Sequence, residues 1–535
     1  MGEHLPAIDR FPAVSLRAAA SLLGEGGMGA RVCGDEGTEV HGMAIDSREV
    51  SPGNLFVCKG AAFCPAFLAD AVRHGAAAYL CEDDERAEEL SAQAPGVPCI
   101  VVYQGKVRRA MALVAPLIYM HPEHDLTIVG ITGTKGKSTV VYMLRSILRA
   151  AGVTPSILGS IETDDGVCAF ESHNTTPEAP DLWLHLRNTV DAGRDVMLME
   201  VSSQGLKYGR VLGVPFEIAC FLNIGRDHIS PIEHPTFEDY FQSKLRIFEQ
   251  CETAVVNLDT ERVEEVLAAA SASAKRLVTL HTDHAPAVSA EGSAASARGC
   301  NADFCATEIE TVDGGIAFTV EARGAAGTMR TTRHDIVLGM TGFFNVDNAL
   351  AACAIARLMG FDYDAIARGL AHVRVPGRME LVSSGDGHVL AIVDYAHNEL
   401  SFDALFSSVK RQYPDRRVIA VFGAPGDKAQ ERRSTLPRVA GAYADLLIYT
   451  EEDPAHEAVE DICAELAANT PAGVAYKIIP DREEAVAHAL HAALADERPS
   501  AVLLLAKGDE TRQHRGDSYP EVKSDLSLAR EILRG

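Results

Sequence analysis

No stretch of this chain approaches the roughly 18 consecutive apolar residues that a membrane-spanning helix needs. Its 12 cysteines contain no C-x-x-C pair. The first absence excludes an ordinary membrane protein, and the second excludes a disulfide framework or a cysteine-built zinc site. Cys300 and Cys305, the closest pair, are expected to bind no metal. Positive charge is also short, since 49 Lys and Arg face 75 Asp and Glu for a formal net charge of −26. That balance argues against a nucleic-acid or anionic-membrane surface, either of which needs a large basic patch. An anionic substrate would need a locally basic pocket. The opening 1-MGEHLPAIDRFPAVSL-16 lacks the charged-then-apolar order of a secretory signal, so a cytoplasmic location is expected.

What is present is an ordinary soluble α/β composition, 47% hydrophobic and 23% charged, on 535 residues. That length exceeds what one core fills, and three domains are expected, spanning 1–124, 125–375 and 376–535. In the first, the short apolar runs 54-NLFVCKG-60, 77-AAYL-80 and 99-CIVVY-103 predict a small α/β unit. Beyond 121-HPEHD-125, the run 126-LTIVGIT-132 predicts a buried strand. It is followed by a glycine loop and a helix whose Val140, Val141, Leu144, Ile147 and Leu148 share one face, with Gly152 at its C-terminal end. Further runs at 196-VMLMEV-201 and 216-FEIACFLNI-224 extend this to a parallel sheet faced by helices. The Ala-rich 268-AAASASAKR-276 and 285-APAVSAEGSAASARG-299 are expected to be surface excursions. From about 376 the runs 388-HVLAIVDY-395, 417-RVIAVFG-423, 445-DLLIYT-450, 474-VAYKII-479 and 501-AVLLLAKG-508 predict a second open, Rossmann-like sheet, with a capped helix from Asp481 to Leu494.

The stretch 130-GITGTKGKST-139 carries the chemistry. Its glycines, at 130 and 133 before Gly136, miss the usual G-x-x-x-x-G-K-[ST] spacing, yet its context of strand, loop and helix is the one a phosphate loop requires. Backbone N–H groups of 133-GTKGK-137 would surround polyphosphate at the positive end of the helix. Lys137 would reach the β/γ-phosphates and Ser138 would ligate Mg²⁺, with Gly133, Thr134, Lys135, Gly136 and Thr139 completing the loop. Glu200, ending its strand, and His228, in 223-NIGRDHIS-230, fall at the C-terminal ends of parallel strands, where ligands bind in open α/β sheets. A carboxylate and an imidazole beside ATP suit divalent metal.

In order and spacing, TGTKGKST, 199-MEVSSQGLKYGRV-211, 220-CFLNIGRDHISPIEHPTFEDYFQSKLRIF-248, 342-GFFNVDNALAA-352, 376-PGRME-380 and 394-DYAHN-398 resemble the Mur ligases of peptidoglycan synthesis. The match is closest to the branch that adds the third amino acid of the stem peptide, and 46-DSREVSPGNLFV-57 looks like that branch's uridine-nucleotide domain. The resemblance implies an ATP-dependent amide ligase that acts on UDP-N-acetylmuramoyl-L-Ala-D-Glu through an acyl phosphate. It implies two Mg²⁺ held by Ser138, Glu200, His228 and Lys244, the last as a CO₂-derived carbamate. Read without the family, Lys244 is an exposed helix lysine. The resemblance also places Asn348 at adenine, and Arg378, Asp394, Tyr395 and His397 over ATP, although His397 could equally be structural. It places Ser47 and Arg48 at the uridine, and Thr175, Thr176, Pro177, Ser202 and Arg210 at the muramoyl-peptide.

The chain departs from the family at Lys135, whose side chain is assigned no phosphate contact, and at 452-EDPA-455, where relatives read Asp-Asn-Pro-Arg or Asp-Asn-Pro-Ala. Lys428 stands where many relatives have an acceptor-contacting Arg. Ala455 removes the Arg that would pair with the extra carboxylate of diaminopimelate. Glu452, Asp453 and Glu510 offer negative charge to a side-chain ammonium, unless they are merely solvated. L-Lysine is the expected acceptor, with ornithine and meso-diaminopimelate as alternatives. Competing readings are a folylpolyglutamate synthase, a nucleotide-dependent switch or motor, and a non-catalytic UDP-sugar binder.

Overall fold

The continuous apolar runs become central strands because a strand covered on both faces must be apolar at every position. In the computed structural model, which describes residues 11–60, 62–83, 87–172, 174–230, 233–283, 301–323 and 331–534, they lie in three sheets. The first sheet has five strands in the order Arg31–Cys33, Cys99–Val102, Ala78–Glu82, Asn54–Val57 and Gly42–Ala44. Its last four strands are parallel, and the first is antiparallel. The loops leaving Gly42–Ala44 and Asn54–Val57 therefore share one edge, which faces the central sheet: Lys59, two residues past the second strand, forms an ion pair with Glu178.

The central sheet has eleven strands. Seven run parallel, in the order Ser156–Leu158, Val196–Glu200, Thr127–Thr132, Phe216–Phe221, Cys251–Asn257, Arg276–Thr282 and Phe304–Val312. The expected parallel core is thus extended by antiparallel arms, Glu162–Asp164 with Ala169–Glu171 at one edge and Gly315–Arg323 with Thr331–Leu338 at the other. The stretch 268–276 is no excursion from this domain. It is the end of the helix Val263–Ser273 and the start of the strand Arg276–Thr282. Val263, Val266 and Ala270 are buried at helical spacing, and the surrounding alanines hid that stripe. Residues 285–299 and Cys300 lie outside the described residues.

In the third sheet, Val389–Asp394, Ser500–Leu505, Arg417–Phe422, Leu446–Tyr449 and Ala475–Ile478 are parallel, with Glu380–Ser383 antiparallel at the edge. The helix Arg482–Ala495 begins at its N-cap Asp481, whose side chain accepts from the Glu484 N–H, as predicted. One apolar cluster continues from the helix Lys137–Ala150 through Phe343 and Val346 to Phe402 and Phe406 of the third domain. A second joins the opposite face of the central sheet to the first domain. The central sheet is thereby packed on both sides, with its strand ends left for chemistry.

Candidate active site

The strand Thr127–Thr132 delivers the chain into the glycine loop, and the helix Lys137–Ala150 leaves it. Gly136 is the N-cap at φ 90°, a backbone that glycine adopts without cost, and a Cβ there would lie 2.2 Å from Asn348 Oδ1. Asn348 thus presses directly on the loop from the helix Phe344–Leu358. The loop is stitched to 223-NIG-225. Asn223 Oδ1 accepts from Lys135 N at 2.9 Å and Asn223 Nδ2 donates to Lys135 O at 3.1 Å, while Thr134 Oγ1 accepts from Gly225 N at 3.0 Å. Ser138 and Thr139 are buried behind it. These bonds fix the path of the loop and engage the N–H groups of Thr134 and Lys135.

Lys137 Nζ donates to Gly133 O at 3.0 Å, and Lys244 Nζ donates to the same carbonyl at 2.9 Å. Lys244 is 1% exposed, far from the solvated helix lysine that its surroundings in sequence suggest. Burial, with Lys137 and Lys135 close by, pushes its amine well below the usual lysine range. Burial likewise lowers Lys137, and it brings Lys135 down to about 8. Lys135 Nζ lies 3.2 Å from Asp227 Oδ2. Burial opposes ionisation of Asp227, yet Lys135 and His228 hold its carboxyl below the ordinary range. The same Oδ2 accepts from Asn398 Nδ2 at 2.7 Å, so Asp227 ties the loop to the third domain. Arg378, over the Tyr395 ring at 4.6 Å, also faces Lys135, Lys137 and Asp394. Asp394 accepts from the N–H groups of Met379 and Ala396, and burial raises its pKa. His397 is half-buried, bonds through Nδ1 to Tyr395 O at 2.7 Å and is pushed well below the imidazole range by desolvation and by Lys135.

Glu200, 1% exposed, accepts from Ser160 N at 2.8 Å and Ser160 Oγ at 3.2 Å, and has no ion pair among the described residues. Thr176 Oγ1 donates to Glu200 O and accepts from Ser202 N, and Thr175 Oγ1 bonds Ser160 Oγ at 2.9 Å. Half-buried Pro177 and the N-cap Glu178 follow. His228 is half-exposed at φ 57°, with Nδ1 3.3 Å from Glu233 Oε1 and Nε2 4.0 Å from Asp227 Oδ2, and makes no bond to Glu200. Glu178 is ringed by Lys59 at 3.3 Å, Arg108 at 3.2 Å and Arg210 at 3.1 Å. Burial opposes its ionisation, but the three cations together hold its carboxyl below the usual range. Arg210 also donates to Thr176 O at 2.9 Å. Three cations on one carboxylate leave a net positive site between the first and central domains. Ser47 is buried, whereas Arg48 is exposed and folds back on Asp46.

The acceptor end differs from expectation. Asp453 and Glu510 are not unpaired charges, because Lys507, 3% exposed, lies 2.9 Å from Asp453 Oδ1 and 2.6 Å from Glu510 Oε2. Glu452 is buried, its Oε2 lacks a hydrogen-bond partner among the described residues, and burial pushes its pKa up to about 7. Lys428 is exposed, and it is Arg432, four residues on, that faces Glu452, Asp227 and His397. Ala455, at φ 49° and 8% exposed, is held by Ala455 N donating to His514 O and Gly516 N donating to Ala455 O. Sequence reasoning missed Lys59, Arg108, Glu178, Asn223, Asp227, Asn398, Arg432 and Lys507. Asn223 and Asp227 precede His228 in a quoted motif and Asn398 ends another, so a signal existed for those three.

A phosphate loop at the end of a parallel strand, lined by lysines and opposed by a second α/β domain, defines a nucleotide-using α/β enzyme of several domains. Residues 131–356 match the Mur ligase middle domain, and residues 377–508 match the Mur ligase glutamate ligase domain. The chain is 36% identical over 503 residues to the UDP-N-acetylmuramyl-tripeptide synthetase of Lactobacillus delbrueckii subsp. bulgaricus, covering 93% of this chain and 94% of that one. It is 33% identical over 497 residues to the UDP-N-acetylmuramoyl-L-alanyl-D-glutamate--L-lysine ligase of Enterococcus faecalis, covering 92% of each. Among solved structures, a UDP-N-acetylmuramoyl-L-alanyl-D-glutamate--2,6-diaminopimelate ligase superposes with a TM-score of 0.64 at 22% identity, over 98% of this chain and 99% of that one. This chain belongs to the Mur ligase family.

Proposed function

We propose that this chain is an ATP-dependent amide ligase that joins L-lysine to the terminal carboxylate of UDP-N-acetylmuramoyl-L-Ala-D-Glu in cytoplasmic peptidoglycan precursor synthesis. The observation that carries it is the convergence of Lys135, Lys137, Lys244 and Arg378 on one loop in a chain of net charge −26. Such local positive charge suits a polyphosphate. The relatives named as tripeptide synthetases and as an L-lysine ligase support the substrates. No helix among the described residues is long and apolar enough to cross a membrane.

In this reading the substrate carboxylate attacks the γ-phosphorus of ATP, the bridging P–O bond breaks and ADP leaves. The resulting acyl phosphate is attacked at carbon by the lysine α-amine, which gives up a proton as the tetrahedral intermediate collapses and expels inorganic phosphate. Lys137 and the loop N–H groups other than those of Thr134 and Lys135 hold the phosphates, so Lys137 must exchange its bonds to the Gly133 and Thr134 carbonyls for phosphate oxygens. Thr175, Thr176, Ser202 and Arg210 orient the muramoyl-peptide, and Arg432 from the third domain adds positive charge to the phosphoryl group in flight. Divalent metal fits here, because buried Glu200 forms no ion pair within 4 Å among the described residues and the Ser138 hydroxyl lies in the phosphate loop, while the resemblance adds the His228 imidazole. When bound, Mg²⁺ would neutralise charge on the phosphoryl oxygens. A carbamate fits Lys244, since only an uncharged amine adds CO₂ and this one is held toward that form.

At the acceptor position Ala455 offers no guanidinium to a second carboxylate, a loss of roughly 1.5–3 kcal/mol for diaminopimelate. The deciding experiment measures phosphate release from ATP with and without the UDP-muramoyl-dipeptide, using L-lysine, L-ornithine and meso-diaminopimelate in turn. Turnover should require both partners, with kcat/KM for lysine about 10- to 100-fold above diaminopimelate. A preference for diaminopimelate would overturn the acceptor, and turnover without the sugar-peptide would restore the switch reading.

A further inference from the structure

Between the helix Val107–Ile118 of the first domain and the strand Thr127–Thr132 that feeds the phosphate loop, the chain makes one tight turn. Met120 at φ 64° and His121 at φ 48° are consecutive non-glycine residues in left-handed conformation, an arrangement that costs on the order of 1–2 kcal/mol per residue. The turn is fixed in this shape by His121 N donating to Pro116 O at 2.8 Å, His124 N to His121 O at 3.2 Å and Asp125 N to Pro122 O at 3.1 Å. Its effect is to bring three donor side chains together. His121 Nδ1 lies 2.9 Å from Glu123 Oε1, and His124 Nε2 lies 3.8 Å from the same oxygen. The two imidazoles stack at 5.4 Å with 10° between their planes.

One nitrogen from each ring and one carboxylate oxygen all fall within 4.8 Å of one another. Donors bound to a tetrahedral ion at about 2.0–2.1 Å stand roughly 3.3 Å apart, so small side-chain rotations bring this trio to a common centre. The carboxylate supplies a second and independent sign. The Glu123 side chain is 11% exposed, and its Oε2 is buried with no hydrogen-bond partner among the described residues. Its ion-pair neighbours there are the two imidazoles alone, with no Lys or Arg. A carboxylate largely removed from water calls for a compensating cation.

We propose that His121, Glu123 and His124 form a site for a divalent transition-metal ion of the Zn²⁺, Co²⁺ or Ni²⁺ class, separate from the reaction centre. Two imidazole nitrogens and one carboxylate oxygen select such ions over Mg²⁺ or Ca²⁺, which prefer oxygen throughout. Exposure of the two rings, 42% for His121 and 74% for His124, leaves the remaining coordination positions to water. Because all three ligands come from one turn, the ion would clamp the connection at the root of the phosphate-loop strand.

The test titrates the full-length protein with CoCl₂ in millimolar Mg²⁺ and follows the visible d–d absorption, with Zn²⁺ competition measured by calorimetry. Saturable cobalt binding displaced by Zn²⁺ but not by Mg²⁺ is expected. His124→Ala and Glu123→Gln should each weaken it at least about 10-fold. Both variants should keep their melting temperature and their amide-forming activity in Mg²⁺, since neither residue touches the reaction. Absence of a zinc-displaceable cobalt spectrum, or one unchanged in both variants, would overturn the proposal.

Discussion

The end proposed to hold nucleotide and the end proposed to hold the acceptor treat charge in opposite ways. Around the phosphate loop, Lys137 and Lys244 share a single carbonyl as hydrogen-bond acceptor, and burial draws both amines toward neutrality. At the acceptor end Lys507 sits between Asp453 and Glu510, Arg515 pairs with Glu451 and Arg482 pairs with Asp525. One end holds cations in waiting, and the other has largely neutralised itself. The difference follows from the ligands. A polyphosphate brings only negative charge, so amines whose ammonium form burial disfavours regain that form beside it. A diamino acid brings both signs and can exchange partners with ion pairs already in place.

The largest effect should come from the cationic end. Lys244→Ala should lower kcat by at least about 10³-fold, as expected when electrostatic stabilisation of phosphoryl transfer is lost. A small carboxylate such as acetate should partly restore it, whereas Lys244→Arg should stay inactive. Full activity of the alanine variant would remove Lys244 from the mechanism, and rescue of the arginine variant would remove the carbamate.

A middle-sized effect tests buried Glu452, whose Oε2 has no hydrogen-bond partner among the described residues. Glu452 has a folded pKa of about 7 against an ordinary 4.5, so between those values the folded state binds the extra proton. Its contribution to stability is therefore present at low pH and is lost as pH rises through that window. Glu452→Gln should flatten the fall and be roughly 1–3 kcal/mol more stable than the parent at pH 8. Parallel melting-temperature profiles from pH 4.5 to 8 would mean that Arg432 and Arg482 already compensate the carboxylate.

The smallest effect lies at the joint between the two ends. Asn398→Ser keeps a capping oxygen for the helix Glu399–Gln412 but loses the reach to Asp227. The KM for ATP should rise about 3- to 10-fold with little change in melting temperature, in line with one hydrogen bond to a charged group. An unchanged KM would make the two ends independent.

How far each end could be read from sequence follows the same division. Lys137 and Ser138 were legible because strand, loop and helix are contiguous and the chemistry is local. The parallel strands of the third sheet and three of the central one, at 127–132, 196–200 and 216–221, were legible as unbroken apolar runs, whereas Cys251–Asn257, Arg276–Thr282 and Phe304–Val312, interrupted by polar or half-exposed positions, fall below that signal. Lys244 needed the family pattern, since the carbonyl that its amine bonds, Gly133 O, lies more than a hundred positions away. Lys507 reads as an ordinary loop charge until folding brings Asp453, 54 residues earlier, against it. Glu178 meets Lys59 and Arg108 only because two sheets face each other. Local chemistry leaves a mark in sequence, and charge compensation across the fold leaves almost none.

Asp227, bonded at once to Lys135 of the nucleotide loop and to Asn398 of the third domain, has a thermodynamic corollary. Coupling free energies are reciprocal, so whatever factor nucleotide contributes to docking of the third domain, docking must return in nucleotide affinity. A compound that wedges the 398–400 segment away from Gly225, where a Cβ would already lie 2.3 Å from Leu400, would loosen ATP without entering its site. Its potency would fall as ATP concentration rises, mimicking a competitive inhibitor in a rate plot while leaving the phosphate loop untouched.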